Sequence, residues 1–494
     1  MRLSPIVVVV SVLLTSMMLP TNAPADQIEG ELSPEAIALI RKSFKQNEQT
    51  RLIHNAVSNN DIKDLALNRG ILRGHNTHFS HRVDFKASTD QCSSGRCWIF
   101  AGLNTMRPKV IKERKIPDFE FSSAYLQFWD KMEKANLYLE QMIELRDADH
   151  LDRRWQTINK WSFSDGGWWN YVVGLINKYG VVPVDVMPET HSSSNTRTMN
   201  KVLSHKLRAD AARIHKHYKN GGSVAELRKL KQQSMNDVYR FLAINLGEPP
   251  VEFEWRYEIK KDNDDGSATD STDDESKDDK EPDTETRLSP LTTYSPKSFY
   301  TEFVGVDLSD FVCIYHDPKN AYYKHYQFQD ARNIVGKRDM NFANVPIGVF
   351  KDAAMESIIA NQPLWFACDM GKDQSSELGI MADRLYEFDT LFGQDLSMTK
   401  AERSRYGMGG SNHAMVLMGV DIRDGKPVKW LVENSWGDDK GDKGKWTLYD
   451  DWFDEHVYTL IVDKRFLPKK VMQVFKEDAT VLPPWYPGAA GARH

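Results

Sequence analysis

Gln91-Cys92-Ser93-Ser94-Gly95-Arg96-Cys97-Trp98-Ile99-Phe100-Ala101 is the stretch on which the reading of this 494-residue chain turns. Small, flexible residues run without a break into an apolar segment, the pattern of a loop entering a helix. Cys97 stands at that junction. A thiol there meets the positive end of the helix macrodipole and backbone N–H groups with no partner inside the helix, and both favour a thiolate. The same N–H groups suit the oxyanion of a tetrahedral intermediate. Gln91, six residues upstream, offers a second donor through its side-chain amide. Cys97 is therefore read as a nucleophile and Gln91 as an oxyanion donor.

A nucleophilic thiol needs a base, and the base needs an orienting group. Gly409-Gly410-Ser411-Asn412-His413 leads into the apolar run Ala414 to Val420, which places His413 at the start of a strand. Twenty-one residues further on stands Glu433-Asn434-Ser435-Trp436-Gly437. The amide oxygen of Asn434 accepts from one imidazole nitrogen and leaves the other facing the thiol, and Trp436 shields that hydrogen bond from water. Each residue alone has an ordinary alternative: a buried Cys, a structural His, a turn. Gln, Cys, His and Asn in this order give the nucleophile, base and orienter arrangement.

The rest of the chain fits a large globular enzyme. With 13 Trp, 18 Tyr and 22 Phe it is not disordered as a whole, and four Cys are too few for a disulfide scaffold. Ser33-Pro34-Glu35 opens a helix with an apolar stripe through Ile37, Leu39 and Ile40. Helices are predicted from Tyr125 to Ile143 and from Trp168 to Tyr179, the second stopped at Gly180. Two long amphipathic helices, Met199 to Tyr218 and Ser223 to Leu246, form a hairpin, with Ser223 and Glu226 as a capping box. After Thr292 short apolar runs read as strands: Phe311 to Tyr315, Leu364 to Cys368, Ala414 to Val420, Trp430 to Val432 and Val457 to Val462. The class is α+β. Cys313 and Cys368, inside such runs, read as buried thiols.

Charge is unevenly placed. The net charge is −6, but Asp262 to Glu285 holds twelve Asp/Glu against two Lys, a charge of −10, which leaves the remainder at +4. With Ala268 as its only apolar residue, this segment reads as a disordered surface loop. It fails the EF-hand pattern, because a loop centred on Gly266 would begin at Lys261 and end at Thr272. No basic run suggests nucleic-acid binding. At the other extreme, Arg2, the apolar run Ile6 to Leu14 and Ala23-Pro24-Ala25 have the layout of a signal peptide cleaved after Ala25. The expectation is an exported protein, periplasmic or secreted, with no membrane association after cleavage.

The Gln91, Cys97, His413 and Asn434 set resembles the papain-like cysteine peptidases. Cys97 and His413 are 316 residues apart, against roughly 130–150 in the papain and cathepsin type. That extra length is similar to the bleomycin hydrolase and aminopeptidase C branch. Supporting segments are Ser93 to Trp98, Phe128-Trp129-Asp130-Lys131, Asp165-Gly166-Gly167, Leu246 to Pro250, Trp365 to Asp369, Val432 to Gly437 and Leu482 to Pro487.

The resemblance implies a two-lobed fold. Residues 26–198 would form a helical lobe with the nucleophile, 199–250 a helical insertion, 251–291 a connection containing the acidic loop, 292–470 a β-barrel lobe with His413 and Asn434, and 471–494 a C-terminal arm. It implies a cysteine aminopeptidase acting on peptides without metal or organic cofactor, and a homo-oligomer, a hexamer with its sites facing an internal cavity. Gly166 and Gly167 would pair with the substrate backbone, and Trp436 would border the substrate. The terminal carboxylate of the arm, here at His494, would meet the substrate's amino terminus. Three features depart from the family pattern: the apparent export, an arm about two residues longer with Arg493 near its tip, and Cys92, which could bridge to Cys97 under oxidising conditions. The rival readings are an endopeptidase or acyl transferase with an unrestricted cleft, and a non-catalytic scaffold.

Overall fold

The computed structural model describes residues 30–83, 89–161, 163–260 and 286–489. The proposed signal segment, the acidic loop and His494 therefore lie outside the described residues. Residues 30–66 with 390–392 form one compact unit, and the remainder forms a second that holds every site residue discussed below. In the first unit, helix Pro34–Ser43 starts as expected, with Ser33 accepting from the Ala36 N–H and Pro34 in the first turn. Its Leu39 and Ile40 are exposed.

The second unit is built around helix Cys97–Arg114. Trp98, Ile99, Phe100, Leu103, Met106 and Val110 are all buried, so this helix is covered on most of its faces. Arg96 precedes it with no side-chain cap, and the Cys97 and Trp98 N–H groups point at the Cys97 thiol. Helices Ser123–Glu144 and Trp169–Tyr179 pack against it. The second ends as predicted at Gly180, whose φ is +78° and whose Cα lies so close to Pro296 that a Cβ would collide with its carbonyl. The hairpin helices are Arg197–Lys219 and Val224–Leu246, and they lie on Ser123–Glu144. The capping box of Ser223 and Glu226 is present.

Twelve strands form one sheet. Its central order is Lys445–Tyr449, Lys426–Glu433, His413–Arg423, Leu364–Cys368, Val457–Asp463 and Phe311–Tyr315, all antiparallel neighbours. The five predicted apolar runs are all there. Strands Lys324–Phe328, Asn341–Asn344, Lys445–Tyr449 and Thr480–Leu482 were not predicted, because short polar-rich strands carry little hydrophobic pattern. Thr480–Leu482 pairs in parallel with Lys324–Phe328 and carries the C-terminal segment back to the body of the unit. The ribbon Glu258–Lys260 and Thr286–Leu288 pairs antiparallel on either side of the acidic segment. Of the two thiols expected to be buried, Cys368 is, whereas Cys313 is only partly covered because it lies on an intermediate face of its strand.

Candidate active site

Cys97 is the first residue of its helix and is 3% exposed. The helix packs on strand His413–Arg423, and the Ala414 backbone N–H reaches the Cys97 thiol. That contact puts the nucleophile beside the residue that follows His413. The cross-strand partner of His413 is Cys368. His413 Nε2 lies 2.9 Å from Asn434 Oδ1, and both side chains are buried. With Nε2–H donating to that oxygen, Nδ1 is the basic nitrogen. Trp436 lies over the imidazole, ring centroids 4.9 Å apart, and is itself braced edge-on by Trp446. Asn434 and Trp436 therefore stand where the sequence placed them relative to His413.

Gln91 joins the same cluster. Its backbone N–H donates to the Ser435 carbonyl at 2.9 Å, and its Oε1 accepts from Ser435 Oγ at 2.8 Å. Its Nε2 donates to the Ser94 carbonyl at 2.5 Å. One of the two amide protons is thus used to shape the loop before Cys97, and the other is left over.

Burial at the site opposes the thiolate that the helix start favours. Burial pushes the Cys97 thiol up to about 11, although the backbone N–H groups of Ala414, Trp98 and Cys97 itself pull the other way. Burial likewise brings His413 down to about 4, against the opposing hydrogen bond to Asn434. In a dry site either charge alone is disfavoured. Moving one proton from Sγ to the imidazole makes both charges together, and their attraction offsets part of the desolvation.

Gly166 and Gly167 are both buried. The Gly166 carbonyl accepts from Lys134 Nζ at 2.7 Å. A Cβ on Gly167 would come within 2.6 Å of the Trp98 indole, so this turn has a packing reason for its glycines. Asp165, beside them, was read only as part of a chain break. In the structure it is a hub. It ion-pairs with Lys131 at 2.6 Å and accepts from Asn200 at 2.8 Å, from Thr196, and from the Gly95 N–H at 3.2 Å, while its own carbonyl accepts from Trp98 Nε1 at 2.7 Å. Burial alone would raise the Asp165 carboxyl, but Lys131 and the hydrogen bonds hold it well below the usual carboxylate range. It braces both flanks of Cys97. The sequence signal was weak: Lys131 and Lys134 stand in an amphipathic helix that also carries Asp130 and Glu133.

Cys92 is exposed and forms no disulfide, its backbone N–H donates to Asp90 Oδ1 at 2.7 Å, and its φ is +50°. The C-terminal segment Pro484–Gly488 lines a cleft that Gly407–Asn412 also border. Tyr486 Oη is 2.9 Å from both Asp317 Oδ2 and Asn320 Nδ2, and the guanidinium of Arg153 lies 4.6 Å from the centre of the Trp485 ring. Gly488 approaches Gly410, and Ala489 is buried.

The Peptidase C1-like family matches residues 31–275 and 276–489. The chain belongs to that family. Among its Peptidase C1-like relatives, aminopeptidase C of Lactococcus lactis subsp. lactis is 36% identical, covering 91% of this chain and 97% of its own. Bleomycin hydrolase of Homo sapiens is 34% identical, covering 93% of this chain and 98% of its own. The crystal structure of PepW from Lactobacillus rhamnosis superposes with a TM-score of 0.85 at 36% identity, covering 93% of this chain and 99% of that one. The fold of this Peptidase C1-like chain is accordingly the papain-like peptidase fold, of mixed α+β class.

Proposed function

We propose that this chain is a cysteine-type aminopeptidase that releases amino-terminal residues from peptides, with Cys97 as nucleophile. The 2.9 Å contact between His413 Nε2 and Asn434 Oδ1, beside a thiol at an uncapped helix start, carries the reading. His413 Nδ1 takes the thiol proton as Sγ attacks the scissile carbonyl. The oxyanion is met by the Cys97 backbone N–H and by the second Nε2 proton of Gln91. The imidazolium then protonates the leaving amine, and water hydrolyses the thioester. Asn434 holds the tautomer throughout, and Trp436 keeps water from that hydrogen bond and borders the substrate, as do Gly166 and Gly167.

The activity is supported by the names and full-length similarity of the aminopeptidase C and bleomycin hydrolase relatives. Mass spectrometry of products from free and N-acetylated peptides, with Cys97→Ala as control, tests it. Loss of single residues from free peptides alone is expected. Cleavage of blocked peptides would make the chain an endopeptidase, and no cleavage of either would make it a scaffold.

The domain reading is part of the same proposal: a helical lobe over 26–198, the insertion 199–250, a barrel-like lobe over 292–470 and an arm over 471–494 reaching the cleft with the terminal carboxylate of His494. So are export after cleavage at Ala25 and assembly into a hexamer. The positive residue Arg2, the short apolar run and the A-x-A site support export. N-terminal sequencing of the mature protein and light scattering of the purified enzyme test these two points.

A further inference from the structure

Asp373, Asp383 and His456 come from three separate segments and converge. Asp373 lies in the loop after strand Leu364–Cys368, Asp383 just after the short strand Ile380–Met381, and His456 at the end of helix Asp450–His456. One carboxylate oxygen of each Asp and one ring nitrogen of His456 all lie within 4.8 Å of one another. The two Asp are half-buried, whereas His456 is 4% exposed. His456 Nδ1 is buried and has no hydrogen-bond partner among the described residues.

Two carboxylates this close repel each other unless a proton or a cation lies between them. Among the described residues neither has an ion-pair partner: Arg403 is paired with Glu455 at 2.6 Å and Arg384 with Asp389 at 2.9 Å. Lys400 donates to the Asp454 and Val457 carbonyls. At longer range Arg403 acts on all three groups, Arg384 on Asp373, and Lys400 and Lys372 on His456, while Asp451 and Glu455 act on Asp383. Burial outweighs these cations at both carboxyls and raises them above their ordinary values. Burial, helped by Arg403, Lys400 and Lys372, brings His456 down to about 3, so the imidazole is neutral and keeps a lone pair for a metal.

Two carboxylate oxygens and an imidazole nitrogen are a donor set for zinc and its neighbours, whereas calcium and magnesium take oxygen ligands. A tetrahedral shell at about 2.0–2.2 Å sets ligand atoms about 3.4 Å apart, so side-chain shifts of under about 1 Å close the group. The partial exposure of the two Asp leaves a way in and a position for water.

We propose that Asp373, Asp383 and His456 form a structural site for a divalent transition ion of the zinc type. The ion ties the loop after Leu364–Cys368 to the end of helix Asp450–His456. That junction already holds two hydrogen bonds of 2.9 Å, from the Asp369 N–H to the His456 carbonyl and from Trp452 Nε1 to the Lys372 carbonyl. The ion takes no part in the thiol chemistry at Cys97, and the proposal does not depend on the aminopeptidase reading.

The test uses the full-length protein in a Cys97→Ala background, because zinc also binds a nucleophilic thiol. Protein stripped with EDTA and then freed of the chelator is titrated with zinc chloride against a chromophoric competitor. Its melting temperature is read with and without zinc. One tight site per chain and a rise in melting temperature are expected. Asp383→Asn keeps the size of a half-buried side chain and removes its charge. Its affinity for zinc is expected to fall at least about a hundredfold, since partners outside the coordination shell are themselves worth about tenfold to a hundredfold. Zinc is expected to leave its melting temperature unchanged. Asp373→Asn carries the same comparison if Asp383→Asn melts far below its parent in EDTA. Zinc bound with parent affinity by a folded variant places the ion elsewhere, the acidic segment Asp262 to Glu285 included, and overturns the proposal. The absence of a tight site in the Cys97→Ala parent overturns it too.

Discussion

Arg107, three turns along the nucleophile helix, is ion-paired with Glu433, the residue before Asn434. Both are buried. Asn104, one turn earlier, donates to the same carboxylate oxygen at 3.1 Å. The helix that presents Cys97 and the strand that ends at Glu433 are therefore locked by a buried charged contact. Their register fixes where the nucleophile stands relative to the base and its orienter.

Removing one partner strands the other. Arg107→Ala takes the guanidinium from a buried carboxylate and leaves Asn104 donating to it, a loss of about 3–5 kcal/mol. Thermal unfolding is expected to show the loss, and a double-mutant cycle with Glu433→Gln is expected to show strong coupling between the two sites.

Gly167→Ala is expected to be disruptive although the change is one methyl group. The added Cβ lies 2.6 Å from the Trp98 ring, which is itself held by Asp165 and packed edge-on against Tyr171. Overpacking of this kind costs about 1–3 kcal/mol. Trp98 follows Cys97 directly, so kcat is expected to fall along with the melting temperature. A variant with full kcat and unchanged melting would show that the indole gives way freely.

Asn434→Ala removes the acceptor that fixes the His413 ring. Nδ1 is then no longer held toward the thiol, and a misplacement on the order of 1 Å costs about a hundredfold in rate. Steady-state kinetics are expected to show the loss in kcat, with iodoacetamide still reaching a folded Cys97 site. Ser435 and Gln91 remain joined through their own hydrogen bonds, so the fold is expected to persist.

Acid is expected to destabilise the enzyme below about pH 6.5, the ordinary histidine value. Burial holds His316 down to about 3, His413 to about 4 and His456 to about 3. All three are neutral when folded and become protonated when unfolded. Their contribution is complete above the unfolded value and is lost as pH falls from there toward the folded values, at up to about 1.4 kcal/mol per unit for each group. Melting temperatures at pH 7, 6, 5 and 4 check this, and His316→Gln is expected to flatten the slope.

The sequence alone determined the chemistry and most of the elements. Cys97 at a loop-to-helix junction, His413 at a strand start, and Asn434 and Trp436 after the next strand are local patterns, written in residue type and spacing. Capping signals and apolar periodicity likewise marked the helices at 34, 169 and 224 and the five apolar strands. These are short-range properties of the chain, which is why they can be read without coordinates.

Only the tertiary structure decided what those residues experience. Asp165 and Lys131 are 34 positions apart, and Arg107 and Glu433 are 326 apart, and no periodicity links them. Whether Cys97 rests as thiol or thiolate depends on how completely other segments exclude water from it. A macrodipole at a helix start can be inferred from sequence; the desolvation that opposes it cannot.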